Sequence, residues 1–211
     1  MYTADIPMLP TTKTALYADD IALYTSSFQT QAAKFRIAHH LSLMTTYFDK
    51  WKLKVNPRKT ELIVFSRKSS NNQILSPLMV QNTPIMPVKY LGFRLDARLR
   101  FKSHISNAVQ KTAMAQRKLY SLLAPNSFLS PQNKLLLYTS TIRPILTYGA
   151  PIWHSVSDFT RRRVQMTQNR CLKSVLSADR CTRNTELHEA TGMPYIADYI
   201  DNISAKFYHS G

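Results

Sequence analysis

Cysteine and acidic residues are both scarce in this chain of 211 residues. Its two cysteines, Cys171 and Cys181, have no further Cys or His at finger-like spacing, which argues against a structural zinc site and for a reduced pair. No apolar run of about 18 residues is present. The first five residues also lack the basic start and apolar core of a signal peptide. These absences predict a soluble, intracellular protein without a membrane partner.

The shortage of acidic groups leaves a strongly basic chain. Its 28 Lys and Arg face 12 Asp and Glu, a formal net charge of +16, while a hydrophobic fraction of 44% excludes a mostly disordered protein. Residues 71–211 carry 18 basic and 7 acidic groups, so they hold +11 of that charge. A nucleic acid is the expected polyanionic partner, because no segment combines a bulky apolar face with a basic one, as membrane binding requires. A ribosomal-type or merely soluble basic protein is the alternative.

Two adjacent carboxylates, Asp19 and Asp20, lie between short segments rich in apolar and aromatic residues. Residues 14–17 and 21–25 are too short for helices, and their composition predicts two strands that meet at Ala18-Asp19-Asp20. Asp is an ordinary turn residue, which is one interpretation of the pair. The other is that the two carboxylates, with a third from elsewhere, hold the paired Mg²⁺ ions of a nucleotidyl-transfer site.

A long helix is predicted from about Gln29 to Leu53. Its apolar residues recur at steps of three and four, as one helix face requires, and this face should cover the sheet that carries the hairpin. The stripe consists of Ala33, Ile37, Leu41, Met44, Phe48 and Trp51. His39 and His40 point to different helix faces, so they cannot jointly bind a metal, and we interpret them as solvated or capping the core. Pro57 ends the helix, and a strand from Glu61 to Ser66 follows.

The remainder divides into a hairpin and a series of helices. Residues 67–83 read as a loop or ragged hairpin, and Pro84 to Leu95 as two short strands with Gly92 at a close approach or bulge. Beyond Asp96 the pattern is helical. Ser130-Pro131 should open one helix, which Arg143-Pro144 bends or ends; aromatic anchors follow at residues 148–153. Further helices are expected from Ser157-Asp158 to about Leu176 and from Pro194 to Tyr208.

The segment Tyr17-Ala18-Asp19-Asp20 resembles the Tyr-x-Asp-Asp box of reverse transcriptases. Residues 51–56, Lys59-Thr60-Glu61, the apolar segment 62–66 and Lys89-Tyr90-Leu91-Gly92-Phe93 follow in the family's order. The series resembles the second half of the polymerase of non-LTR retrotransposons, most closely the jockey type, over nearly the whole chain and tightly to about Asp96. It implies an α+β fold. Residues 1–96 would form a partial polymerase palm, with antiparallel strands packed on a long helix, and residues 97–211 a helical thumb and C-terminal extension.

The resemblance also implies roles for single residues. Asp19 would be the ligand shared by two Mg²⁺ ions, Asp20 would tune the charge and geometry of the site, and Tyr17 would approach the primer end or nucleotide. Lys59 would lie near the triphosphate of the incoming nucleotide; a solvated turn lysine is the alternative. Leu91-Gly92 would belong to the primer grip, or else to an ordinary edge hairpin.

Basic residues of the helical region would contact the phosphate backbone of the template–primer duplex without reading its sequence. A solvated basic face is the alternative for the arginine triplet. The candidates are Lys102, Lys111, Arg117, Lys118, Arg161, Arg162, Arg163 and Arg170.

The same resemblance indicates parts of the polymerase that this sequence does not contain. The fingers and the palm strand with the first catalytic aspartate would precede it, and Asp5 matches no such motif. We therefore expect a fragment of an RNA-directed DNA polymerase, whose complete enzyme uses an RNA template, a DNA primer, deoxynucleoside triphosphates and Mg²⁺. A catalytically inactive basic RNA- or DNA-binding fragment is the alternative. An exposed sheet edge would make the chain aggregate or depend on the other polymerase half.

Overall fold

The computed structural model describes residues 5–54, 56, 60–65, 88–179 and 181–210. They form two compact units, the first reaching Leu62 and the second containing residues 63–65 and those from Val88 onward. The hairpin before Asp96 thus groups with the helices, while its assignment to a palm, which the resemblance implies, stays a prediction. Lys59, Pro57 and the loop 67–83 lie outside the described residues. No helix in the described part of the chain is long and apolar enough to cross a membrane.

The first unit consists of a hairpin and one long helix. Strands β1 (Lys13–Tyr17) and β2 (Asp20–Tyr24) pair antiparallel, from Lys13↔Tyr24 to Tyr17↔Asp20, as predicted. Helix α1 spans Thr30–Lys50. Its core is small: Ile6, Met44 and Tyr47 are buried, and Leu23 of β2 and Phe48 pack against them. Helix α1 therefore meets the hairpin through Met44 and Phe48 of the predicted stripe and through Tyr47, which lies outside it.

His40 is a buried residue of this unit, whereas the sequence suggested a solvated or core-capping side chain. Its Nδ1 lies 2.6 Å from Thr12 Oγ1 and its Nε2 lies 2.8 Å from the Pro7 carbonyl oxygen. These partners satisfy both ring nitrogens, which is the condition for burying a polar ring at low cost. His39 is exposed.

The strand predicted from Glu61 to Ser66 is not observed over its described residues. Residues 60–65 have no regular secondary structure, and Leu62 and Phe65 are about half exposed. A strand requires a neighbour for its backbone groups, and in the described residues β1 and β2 pair only with each other. An apolar, β-branched composition alone does not supply that neighbour.

The second unit starts with a short hairpin and continues as helices. Strands β3 (Val88–Tyr90) and β4 (Phe93–Leu95) pair antiparallel. The helices are α2 (Lys102–Lys118), α3 (Tyr120–Leu123), α4 (Pro131–Leu137), α5 (Arg143–Leu146), α6 (Ala150–Trp153), α7 (Asp158–Leu176), α8 (Asn184–Thr191) and α9 (Ile196–His209). A mixed α and β fold with small antiparallel sheets is thus confirmed, while the palm and thumb assignments remain predictions.

Two apolar clusters hold the helices together. The first joins α2, α5, α6, α7 and α9 through Phe101, Ile105, Leu146, Ala150, Trp153, Val164, Ile196 and Ile200. The second joins the region around α3 to α7 and α8 through Leu123, Tyr138, Ile142, Cys171, Leu172, Val175 and Leu187. Burial raises the pKa of the Cys171 thiol to about 12, so this cysteine acts as a small apolar core residue.

The helix that starts at Ser130-Pro131 begins as predicted but continues past Pro144. Ser130 Oγ accepts a hydrogen bond from the Asn133 amide at 3.3 Å, with Pro131 at the first helical position. A π-helical turn, Tyr138–Ile142, then leads directly into α5. Proline would clash with the carbonyl four residues earlier, at Ser140, and the wide turn around Ser140 removes that conflict. The helical backbone therefore runs on to Leu146.

Gly149 permits the closest packing between β4 and the helices. Its φ is +65°, and a Cβ built there would overlap the Phe93 ring. Gly192 has the same φ of +65°, but a Cβ there would meet no atom within 4 Å. The two glycines thus share a backbone conformation and differ in their surroundings.

We expect Gly149→Ala to destabilise the protein more than Gly192→Ala. The second substitution carries only the cost of an alanine in left-handed backbone, about 1 kcal/mol, while the first adds overpacking of about 1–3 kcal/mol. Urea denaturation of both variants and the parent measures the difference. Equal losses of unfolding free energy would contradict the packing role of Gly149.

Candidate active-site hairpin and nucleic-acid interface

The carboxylate pair lies at the tip of the first hairpin. Because Tyr17 pairs with Asp20, the connecting loop is only Ala18 and Asp19. Ala18 has a φ of +52°, in the left-handed region that residues with a Cβ seldom occupy. The paired residues Tyr17 and Asp20 thus flank the loop that contains Asp19, and Asp20 is the first residue of β2. Both carboxylates are thereby carried on a short, regular hairpin.

Both carboxylates are open to solvent. Asp19 and Asp20 are exposed, and Tyr17 beside them has 64% of its surface accessible. No side-chain hydrogen bond or ion pair links either aspartate to another residue in the described part of the chain. Their oxygens are therefore available to an external ligand.

The donor set at the tip fits part of a magnesium site. Mg²⁺ prefers oxygen ligands and usually takes only one or two carboxylates from the protein, keeping waters and substrate phosphates for its other positions. Across the described ranges, no three His, Cys, Asp or Glu side chains come together as a metal-binding group. Asp5 accepts a hydrogen bond from the Tyr47 hydroxyl at 3.2 Å instead.

The second hairpin has an equally tight connection, Leu91-Gly92. Tyr90 pairs with Phe93, and both loop residues have positive φ, 45° at Leu91 and 81° at Gly92. Positive φ at both positions is typical of a type I′ turn, which matches the twist of paired strands and favours glycine. The predicted close approach at Gly92 is observed: a Cβ there would lie 3.2 Å from the Tyr148 ring.

Tyr148 anchors this turn to the helices. Its hydroxyl donates a hydrogen bond of 2.9 Å to the Leu91 carbonyl oxygen. Its own carbonyl accepts from Trp153 Nε1 at 2.9 Å and lies 3.3 Å from His104 Nε2. We call Phe93, His104, Tyr148 and Gly149 the aromatic clasp.

Ring stacking completes the aromatic clasp. The Phe93 and His104 rings are stacked with centroids 5.0 Å apart, and the Phe93 and Tyr148 centroids lie 5.4 Å apart. Burial is the main cause that lowers the pKa of His104, and the positive charges of Lys111 and Arg94 lower it further. The imidazole is therefore neutral at pH 7. The residues around Tyr148 were expected to contain aromatic anchors, but nothing in the local sequence distinguished His104.

The basic residues predicted to contact phosphates fall into two groups: some bond to other residues of the chain, and the others are exposed. Arg161 forms an ion pair with Asp201 at 3.2 Å and donates to the His154 carbonyl oxygen, so it ties α7 to α9; its phosphate contact stays a prediction. Arg163 Nη1 donates to Ser106 Oγ at 3.1 Å but remains exposed. The other six candidates are exposed: Lys102, Lys111, Arg117, Lys118, Arg162 and Arg170.

Residues 2–95, which contain both hairpins, match the family described as reverse transcriptase (RNA-dependent DNA polymerase). The match covers less than half of the chain, and over these residues it confirms the predicted resemblance to reverse transcriptases. No solved structure matches the chain significantly.

Three relatives from Drosophila melanogaster extend the similarity across the chain. The probable RNA-directed DNA polymerase from transposon BS is 28% identical over 98% of this chain and 24% of its own length. The probable RNA-directed DNA polymerase from transposon X-element is 27% identical over 97% of this chain and 22% of its own length. The RNA-directed DNA polymerase from mobile element jockey is 25% identical, over 92% and 21%. The chain thus spans less than a quarter of the length of these curated relatives.

We expect Tyr148→Phe to loosen the second hairpin without unfolding the helices. Removal of the hydroxyl leaves the Leu91 carbonyl without that donor, at a cost of about 1 kcal/mol. Amide hydrogen exchange of residues 88–95 should accelerate about fivefold, since that energy is confined to the hairpin. The control is Tyr120→Phe, an exposed tyrosine on α3. Unchanged exchange in Tyr148→Phe would show that the hydroxyl does not hold the turn.

Proposed function

We propose that this chain is part of an RNA-directed DNA polymerase of a non-LTR retrotransposon, and that Asp19 and Asp20 are carboxylates of its two-metal site. One observation carries the proposal: an exposed Asp-Asp pair at the tip of a two-residue hairpin, inside the segment that matches the reverse transcriptase family. The names of the relatives support it, since each is an RNA-directed DNA polymerase of a transposable element.

Asp19 and Asp20 would hold the metal ions, Asp19 binding both and Asp20 adjusting the charge and geometry around them. When bound, a pair of Mg²⁺ ions activates the primer 3′ hydroxyl and stabilises charge on the leaving phosphates. The hairpin contributes rigidity, because paired strands hold both carboxylates in place before the substrate arrives. Tyr17 contributes an exposed ring next to the pair, against which a primer end or nucleotide can pack.

Three further parts of the site belong to the proposal. A third carboxylate would come from another segment of the polymerase. Lys59 would neutralise charge on the triphosphate or donate a proton to the leaving pyrophosphate. Leu91-Gly92 would grip the primer end, and the anchoring of that turn by Tyr148 suits such a task, because a positioning element must resist displacement.

The helical region would hold the template–primer duplex through its exposed basic side chains. Lys102, Lys111, Arg117 and Lys118 lie on α2, and Arg162 and Arg170 lie on α7. Such contacts neutralise phosphates and release counterions, so they bind any sequence and weaken with salt. An RNA template, a DNA primer and deoxynucleoside triphosphates are the substrates this arrangement would serve.

A second candidate function is a basic RNA- or DNA-binding fragment without catalysis. One observation favours it: within the residues that the structure describes, no third metal-binding side chain lies near Asp19 and Asp20. Both candidates share the nucleic-acid interface, and they differ only in whether the carboxylate pair is used.

We expect the double substitution Asp19→Asn and Asp20→Asn to weaken Mn²⁺ binding at least tenfold. Amide oxygens keep the shape of the tip but carry no charge, and carboxylate charge dominates affinity for hard cations. Electron paramagnetic resonance of free Mn²⁺ during titration measures the change. Asp49→Asn, an exposed carboxylate of α1, is the control. Equal affinity in the parent and the double variant would exclude the pair as metal ligands.

Primer extension on an RNA template with Mg²⁺ separates the two candidates. The assay uses this chain within a complete polymerase that supplies the third carboxylate. Under the polymerase proposal, Asp19→Ala abolishes extension by that enzyme, while the affinity for the RNA–DNA hybrid stays within about threefold, since the helices carry the phosphate contacts. Extension that is unchanged in Asp19→Ala, or hybrid binding without any extension, would favour the non-catalytic fragment. Absence of hybrid binding at low salt would contradict both.

Arg162→Ala and Arg170→Ala together should weaken hybrid binding and flatten its salt dependence. Loss of two phosphate contacts lowers the slope of log K against log salt by roughly 2. Arg161→Ala should instead lower the melting temperature, because it breaks the link to Asp201 and His154. Fluorescence anisotropy at several salt concentrations and a thermal melt distinguish these effects. An unchanged slope in the double variant would refute the proposed interface.

A further inference from the structure

A groove of about 650 Å³ opens beside the second hairpin, within the helical unit. Its walls are α2, the Leu91-Gly92 turn, the start of α5 and the Tyr148 ring. This volume lies within the range of small-molecule sites and is enough for one nucleotide. The groove is thus larger than an incidental packing defect and has walls from four parts of the chain.

The lining combines apolar surface with positive charge. Ala108, Met114, Ala115 and Ile145 supply apolar contacts, and Tyr148 supplies an aromatic ring. Lys111 and Lys118, both exposed, lie on the same lining. A flat aromatic ligand with an anionic group matches this combination better than a purely apolar or a purely ionic one.

The surrounding sequence strengthens the positive field. Between Asp96 and Asp158 the chain contains no Asp or Glu, whereas this interval holds eight Lys and Arg. Lys111 and Arg94 already influence His104 electrostatically. An anionic ligand in the groove would therefore meet no carboxylate from the segment that builds most of its walls.

His104 provides an independent indication of a ligand. This residue lines the groove, is 3% exposed, and has an Nδ1 without a hydrogen-bond partner among the described residues. Because Nε2 faces the Tyr148 carbonyl, Nε2 carries the proton and Nδ1 is an acceptor. A buried acceptor without a donor is costly. Nδ1 has less than 1 Å² of accessible surface, so a ligand N–H or O–H group satisfies it only when the side chains that cover this nitrogen move aside.

We propose that this groove is a binding site for a single unpaired nucleotide. The base packs between the apolar wall of α2 and Tyr148, and it offers a ring or exocyclic N–H to His104 Nδ1. The phosphate pairs with Lys111 and Lys118. Such a site goes beyond the proposed function, because it holds one base and its phosphate rather than the backbone of a duplex.

The nucleotide can come from two sources with the same chemistry: a free nucleoside monophosphate or an extrahelical residue of a nucleic-acid strand. Both bring one aromatic ring with N–H donors and one phosphate. Competition separates them, since a strand that inserts a residue must displace the free nucleotide from the same groove.

The direct test is calorimetric titration of the full chain with adenosine monophosphate, with ribose 5-phosphate and adenosine as partial ligands. We expect saturable binding of the monophosphate and at least tenfold weaker binding of each partial ligand. Lys111→Ala should lower affinity roughly tenfold or more by removing a charge-assisted hydrogen bond. Ala115→Leu, which fills the groove from a half-exposed position, should abolish binding. Lys206→Ala removes an equal charge from α9 and should change nothing.

His104→Phe tests the acceptor while keeping a ring against Phe93. We expect a loss of roughly three- to tenfold in affinity, corresponding to one neutral hydrogen bond. Because this residue is buried, the melting temperature of each variant is measured alongside the affinity. If His104→Phe unfolds, the affinities of Lys111→Ala and Ala115→Leu test the nucleotide site instead. Equal binding of ribose 5-phosphate and the monophosphate, or unchanged affinity in Ala115→Leu, would overturn the site.

A short single strand and the same strand with one abasic position identify the source. Displacement of the monophosphate by the intact strand alone assigns the groove to an extrahelical residue, and displacement by neither strand assigns it to the free nucleotide. Absence of monophosphate binding overturns this inference. That result leaves the polymerase proposal intact if the salt-dependent binding of the RNA–DNA hybrid persists.

Discussion

The contact between the Phe93 ring and the backbone at Gly149 is the constraint on which the second hairpin depends. Strands of three residues have no core of their own, and a two-stranded hairpin is marginal in water. Phe93 supplies the missing burial by entering space that any side chain at position 149 would fill. Tyr148 then fixes the turn from the other side. The hairpin is therefore held by the helices, and its conformation follows theirs.

The two hairpins have similar turns in different surroundings. Each has a two-residue loop with positive φ at its first position, but the first tip forms no hydrogen bond with another element in the described residues, whereas the second is hydrogen-bonded to Tyr148. At the exposed tip, Ala18 bears a strained backbone and nothing in the described residues covers the neighbouring aspartates. The positive φ at Ala18 follows from the two-residue turn, so the exposure of the aspartates, and not the backbone, distinguishes this tip. At the second tip, Leu91 also has a positive φ, and Gly92 avoids the steric conflict that a Cβ would have with the Tyr148 ring.

Features set by local chemistry were the ones that the sequence predicted well. The β1–β2 hairpin, the Ser130 cap and both ends of α7 depend on residues close in the chain, so their patterns were sufficient. The burial of His40, the engagement of Arg161 and the role of His104 depend on partners 33, 40 and 44 positions away. No periodicity records such partners, which is why the residues looked equivalent to their exposed neighbours.

Part of the candidate site was predictable for the same reason. Asp19 and Asp20 are adjacent, so one short motif placed both carboxylates at one tip; the groove beside His104 combines residues from 92 to 148, and only folding brings them together. The positive charge of the helical unit depends on composition alone. Because the helices between Asp96 and Asp158 carry no carboxylates, almost any packing of them would present a positive surface, and the basic character of the unit is fixed by composition. Packing determines where that surface forms a groove. In the groove, Lys111 and Lys118 lie near the Tyr148 ring and near His104, whose Nδ1 has no hydrogen-bond partner among the described residues.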